Sequence, residues 1–123
     1  MLLENKFYKV LSENRTDALT SEYCLSILPE CTVYDGHFPG DPVCPGVCNI
    51  ETIKECAMLL TGESLRYNSI KQCRLTALAT PTVCPELKVQ LNLSPSETGY
   101  GIQATISDEN QVYMILKGQL DKQ

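Results

Sequence analysis

The sequence predicts an α+β protein in which an antiparallel sheet wraps around one central helix at about residues 46–60. Three observations carry this expectation. From Val47, apolar residues recur at Ile50, Ile53, Ala57 and Leu60, the three- and four-residue spacing of a helix. Leu87, Val89, Leu91 and Leu93 alternate with Lys88, Gln90 and Asn92, the period of two that marks a half-buried strand. Tyr100, Ile102, Ala104 and Ile106 repeat that alternation.

Taken in chain order, residues 6–11 read as a short, partly alternating strand. Residues 22–28 read as a second strand, stopped by Pro29, which cannot donate to a ladder. Residues 32–34 offer a further short strand. Asp35-Gly36 and the run Phe38-Pro39-Gly40-Asp41-Pro42 form a turn-rich loop, closed by Pro45-Gly46. In the helix that follows, Cys48, Cys56, Met58 and Leu59 fill much of the remaining circumference, which predicts a buried helix. Thr61-Gly62 supplies its stop. Residues 70–75, running on toward Ala79, are the next strand. After the two alternating strands, Asp108-Glu109-Asn110 reads as a hairpin loop and residues 112–120 as the return strand. An antiparallel sheet with one apolar face needs a cover, and the only long helix is that cover. Pattern alone supports an α+β protein with one helix on a sheet.

The chain has 123 residues, a length that predicts one domain over residues 1–123. It is 43% hydrophobic and 20% charged, ordinary for a globular protein. The net charge of -5 and pI near 4.8 argue against nucleic acid and against non-specific binding to anionic lipid. The first ten residues contain Glu4, Lys6 and Lys9 and no apolar run suited to a secretory signal. No stretch approaches the ~20 apolar residues of a membrane span. The expected compartment is the cytoplasm. The seven cysteines are odd in number and irregular in spacing, and no C-x-x-C occurs. They predict reduced thiols acting as small hydrophobes, with neither a disulfide framework nor a metal site. No cofactor is expected.

Chemistry is concentrated before and within the helix. His37 is the only histidine and lies in the loop that precedes it. A single loop histidine is more often solvated than catalytic. Glu51 changes the balance: it sits one turn after Val47 on a helix with few polar neighbours. Carboxylates are rarely buried without a purpose or partner. The plain reading of Glu51 is an ion pair with Lys54, three residues on. The functional reading is a carboxyl group in an apolar slot, able to donate a proton. Pro45-Gly46 marks the helix start, where the amides of Gly46 and Val47 lack intrahelical partners and are free to polarise a carbonyl oxygen. The plain reading of that pair is helix initiation alone. A base, an acid and an oxyanion site together suit removal of water from a 3-hydroxyacyl thioester.

The run His37-Phe38-Pro39-Gly40-x-Pro42-Val43-x-Pro45-Gly46-Val47, followed by Glu51, resembles the active-site signature of the 3-hydroxyacyl-(acyl carrier protein) dehydratases of bacterial fatty-acid synthesis. The fourteen-residue step from His37 to Glu51 also agrees. The resemblance implies the hot-dog fold, His37 as base, and Glu51 as acid supplied by the partner chain. It implies that the Gly46 amide binds the thioester oxygen and that the Val43 carbonyl orients the histidine. Phe38 lies in the same stretch, among the substrate-binding positions. The implied partner is an acyl carrier protein bearing the phosphopantetheine-linked substrate. The implied assembly is a homodimer or a trimer of dimers. Glutamate at position 51 favours the branch that dehydrates without isomerising.

Three features depart from that pattern. Glu55 stands where the family usually has a glutamine donating to the acid, so a second carboxylate at i+4 is expected to repel Glu51. Cys44 and Cys48 stand where larger apolar residues are common, which predicts a differently shaped acyl tunnel. Pro81 and Pro85 replace a proline usually found near Leu78. Lys54, Arg66, Lys71 and Arg74 are candidates for a local basic patch facing an acidic carrier protein, or equally a solvated face. The rival readings are a hot-dog thioesterase and a non-catalytic acyl-binding or partner subunit.

Overall fold

The alternation read at Leu87–Leu93 becomes a strand whose even and odd residues are sorted between core and solvent. In the computed structural model, residues 3–28, 46–77 and 86–123 are described. They form β1 (Tyr8–Asp17), β2 (Thr20–Ile27), α1 (Gly46–Thr61), β3 (Leu65–Leu75), β4 (Glu86–Pro95), β5 (Gly99–Ser107) and β6 (Val112–Lys122). The strands make one six-stranded antiparallel sheet in the order β1-β2-β4-β5-β6-β3. The expected strand at residues 32–34 and the extension to Ala79 lie outside the described residues.

The inner face is built in register. Tyr23 pairs with Val89, Val89 with Ile106 and Ile106 with Met114. Leu91, Ala104 and Leu116 form a parallel row beside it. All seven are buried, and directly opposed side chains of this kind are the unit of sheet stabilisation. Against them α1 turns the stripe Asn49, Ile53, Cys56, Ala57 and Leu60, every member of which is buried. Expected uniform burial of the helix is not what the single chain shows: Cys48, Ile50, Met58 and Leu59 are only partly covered. The helix ends as Thr61-Gly62 predicts. Gly62 adopts a left-handed φ of 72° and donates from its N–H to the Met58 carbonyl at 2.8 Å, which satisfies an end-of-helix acceptor.

Two strands are longer than the sequence pattern suggests. β1 runs on to Asp17, and β3 starts at Leu65, five residues ahead of the expected Ile70. Both lie at an edge of the sheet and are largely exposed, so neither has an apolar face to alternate with a polar one. Their side chains differ. From Ser12 to Asp17, β1 is wholly polar and carries the Arg15–Glu13 ion pair. β3 leaves Ile70 and Leu75 more than 40% exposed and Cys73 exposed beside them. Among the described residues no helix is long and apolar enough to cross a membrane.

Candidate active site

The helix start supplies the first part of the site. Gly46 and Val47 occupy the first turn of α1, where backbone N–H groups have no intrahelical acceptor. Glu51 follows one turn later. Its side chain is 26% exposed, and its Oε2 lies 3.0 Å from Lys54 Nζ. Glu51 therefore keeps some access to solvent and takes the i+3 lysine as partner, the plainer of its two expected arrangements. His37, Phe38 and Val43 lie outside the described residues. The structure thus brings Gly46, Val47 and Glu51 together on one helix.

Glu55 does not stand alongside Glu51 as a free repelling charge. It is fully buried and points to the chain's beginning. Its carboxylate accepts from Leu3 N at 3.0 Å, Glu4 N at 3.0 Å and the Tyr8 hydroxyl at 2.9 Å. Residues 3–8 form a tight turn around this anchor, with Lys6 N and Phe7 N donating to the Leu3 carbonyl and Asn5 at a left-handed φ of 65°. Phe7 and Tyr8 are completely buried. Burial pushes the Tyr8 phenol far above its ordinary range, with the Cys56 thiol and Glu55 adding to it. The same burial, reinforced by Glu55, raises the Cys56 thiol.

Two further polar residues, one packed against α1 and one on its core face, carry no signal in the sequence. Tyr67, on β3, donates from its hydroxyl to the Ile50 carbonyl at 2.7 Å, immediately before Glu51. Burial raises its phenol, and the charge of Glu51 is the next contribution. Asn49 is buried, and its Nδ2 has no hydrogen-bond partner among the described residues. Tyr67 lies on the part of β3 ahead of Ile70, where exposure on both faces leaves no alternation to mark a strand. Of the expected basic patch, Lys54 is paired with Glu51, while Arg66, Lys71 and Arg74 are exposed along β3. Two grooves, of about 290 and 490 Å³, lie on the solvent face of the sheet, share Asn92, Gln103 and Lys117, and are lined by strand residues rather than by α1.

The wrapped helix and the sheet order together define a hot-dog fold. The fold matches that of the dehydratase heterocomplex ApeI:P from Xenorhabdus doucetiae, with a TM-score of 0.77 at 19% identity over 92% of this chain and 96% of that one. A hypothetical thioesterase with coenzyme A from Streptococcus pneumoniae shares the fold at a TM-score of 0.69 and 8% identity, covering 97% of this chain and 89% of that one. Residues 12–115 match the family model described as ApeI dehydratase, and the chain belongs to this ApeI-like dehydratase family. It is also similar to 3-hydroxyacyl-[acyl-carrier-protein] dehydratase FabZ of Lactiplantibacillus plantarum, 28% identical over 88% of this chain and 81% of that protein. The FabZ of Levilactobacillus brevis is 29% identical over 80% of this chain and 73% of that protein.

Proposed function

We propose that the protein removes water from 3-hydroxyacyl thioesters carried on an acyl carrier protein, giving trans-2-enoyl thioesters. The observation that carries this reading is the placement of Glu51, partly exposed, one turn beyond the helix-start amides of Gly46 and Val47, which have no intrahelical acceptor, in a chain of a dehydratase family. His37 takes a proton from C2. The thioester oxygen, gaining enolate character, rests on the helix-start amides. The bond from C3 to its hydroxyl breaks, and Glu51 gives that oxygen the proton that makes it water. Transfer of the C2 proton from His37 to Glu51 then restores both groups. Val43 orients His37 through its carbonyl, and Phe38 contributes to the acyl pocket.

In this reading two copies pair, and each site combines His37 of one chain with Glu51 of the other. The exposed β3 edge, with Ile70, Cys73 and Leu75, and the half-covered helix residues Ile50 and Met58 support such a pairing. Arg66, Lys71 and Arg74 form the approach for the carrier protein. We read residues 1–123 as one hot-dog domain that works without a cofactor. The Lys54–Glu51 ion pair favours a second reading, a binding or partner subunit, because an i,i+3 pair on a helix is an ordinary structural arrangement that calls for no chemistry.

The test is turnover of 3-hydroxyacyl-carrier protein substrates of several chain lengths, with the enoyl product followed by mass and His37→Ala and Glu51→Gln run beside the natural protein. Enoyl product from the natural protein, with losses of roughly 10²–10⁴-fold in either variant, is the expected result. A folded protein that yields no enoyl product from any substrate refutes the dehydratase reading and moves the assignment to the partner subunit. Release of free thiol in its place identifies a thioesterase.

A further inference from the structure

β3 leaves its ladder with β6 at one place that matters for Glu51. Pairing runs from Leu65 to Tyr67, skips a residue, and resumes at Ser69 opposite Gln119. The extra residue is Asn68, and its amide donates to Asp121 Oδ2 at 2.8 Å. Thr98 donates to the other oxygen, Oδ1, at 2.6 Å. One carboxylate on β6 thus ties the bulge to the turn between β4 and β5. Gly118 completes the arrangement: a Cβ there would stand 2.5 Å from the Ser69 carbonyl oxygen, so only glycine lets the bulged strand approach. A bulge re-aims the neighbouring side chains of its strand, and bulges are enriched beside active sites. Here the residue next to the bulge is Tyr67, whose hydroxyl reaches the Ile50 carbonyl at 2.7 Å. That carbonyl already belongs to the helical ladder, so the phenol is a second donor locking this turn of α1 in place.

We propose that Tyr67 is a positioning residue for Glu51: aimed by the Asn68 bulge, its hydroxyl fixes the helix turn from which the carboxylate is presented. This rests on the dehydratase reading of Glu51 given above. The raised Tyr67 phenol, in which burial comes first and the Glu51 charge second, is consistent with the closeness of the two groups. Because β3 is also the edge strand, the same phenol links the outer margin of the sheet to the helix that carries the acid. The interaction acts through orientation, and a shift of about 1 Å in a reacting group can cost on the order of 10²-fold in rate.

The test uses the full chain with Tyr67→Phe, which removes the hydroxyl and keeps the ring, and Asn68→Ala, which keeps the hydroxyl and frees the bulge. Hydration of crotonyl-coenzyme A, the reverse reaction, supplies kcat and KM. Tyr67→Phe is expected to lower kcat by roughly tenfold with KM within about twofold, and Asn68→Ala to lower it by roughly threefold. A kcat within twofold of the natural protein in both variants, or a change confined to thermal stability, overturns the proposal. A second readout is independent of turnover. In protein labelled with carboxyl-¹³C glutamate, the Glu51 signal, assigned by its loss in Glu51→Gln, is expected to move or broaden in Tyr67→Phe. An unmoved signal overturns the proposal even if the natural protein proves inactive, in which case the dehydratase reading fails separately.

Discussion

Replacing Glu55 by glutamine isolates the contribution of one buried carboxylate to the joining of the chain's beginning and its central helix. Glu55 Oε2 accepts from Leu3 N, and Oε1 accepts from both Glu4 N and the Tyr8 hydroxyl. A glutamine oxygen can keep the last two partners, but its NH₂ then faces the Leu3 N–H, donor against donor. Hydrogen bonds to a charged acceptor contribute about 1.5–3 kcal/mol each and neutral ones about 1, so one lost and two weakened bonds predict a destabilisation of at least about 2.5 kcal/mol. That is a large part of the 5–15 kcal/mol that typically holds a domain of this kind together, according to the usual range of about 0.05–0.15 kcal/mol per residue. Urea unfolding of the natural protein and Glu55→Gln measures the difference. Amide exchange at Leu3 and Glu4 locates it, because those two N–H groups are expected to lose protection before the core does. A change below about 0.5 kcal/mol, the scale of an ordinary surface substitution, with protection at Leu3 and Glu4 unaltered, refutes the reasoning.

Two further outcomes follow from ionisable groups away from Glu51. Asp121 has its carboxyl held below the ordinary value of 3.8, first by the Thr98 hydroxyl and then by the Asn68 amide. A depressed carboxylate adds stability that is full above its unfolded value and is lost as pH falls through its native value. Asp121→Asn is therefore expected to be less stable than the natural protein from neutral pH down to about 4, with the gap narrowing below that; urea midpoints across the range check it, and a pH-independent gap contradicts it. The Cys56 thiol, raised by burial and then by Glu55, is expected to resist iodoacetamide in the folded protein and react once unfolded. Peptide mapping decides this, and equal labelling in both states counts against the burial described here.

What could be read in advance depended on whether a segment has two unlike faces. β4 was legible because Leu87 to Leu93 meet the core while Lys88, Gln90 and Asn92 meet water. The helix and its Gly62 stop were legible for the same reason at a different period. β1 beyond Leu11 and β3 before Ile70 were not, because an edge strand exposed on both faces carries no alternation. Side-chain partners were less accessible still. Spacing placed Glu55 one turn from Glu51, yet its partners are Leu3, Glu4 and Tyr8, about fifty residues away in sequence. Only Lys54, three residues from Glu51, was within the reach of local reasoning. Tyr67 required a bulge at Asn68, and the carboxylate that holds that bulge lies fifty-three residues on.

The two margins of the sheet are chemically unlike, and this sets a limit on growth. Along β1, from Ser12 to Asp17, a newcomer strand meets Glu13, Asn14, Arg15 and Asp17, with ladder irregularities at both ends of that stretch. Along β3 it meets Ile70, Cys73 and Leu75, set among the exposed Arg66, Lys71 and Arg74. Sheets with two sticky margins can add copies without end, whereas a chain with one such margin can use it only once, against an identical margin related by a two-fold axis. In the pair proposed above, the polar strip of six residues is what would keep the assembly closed, and substitutions that make β1 apolar between Ser12 and Asp17 are the ones that would let it propagate.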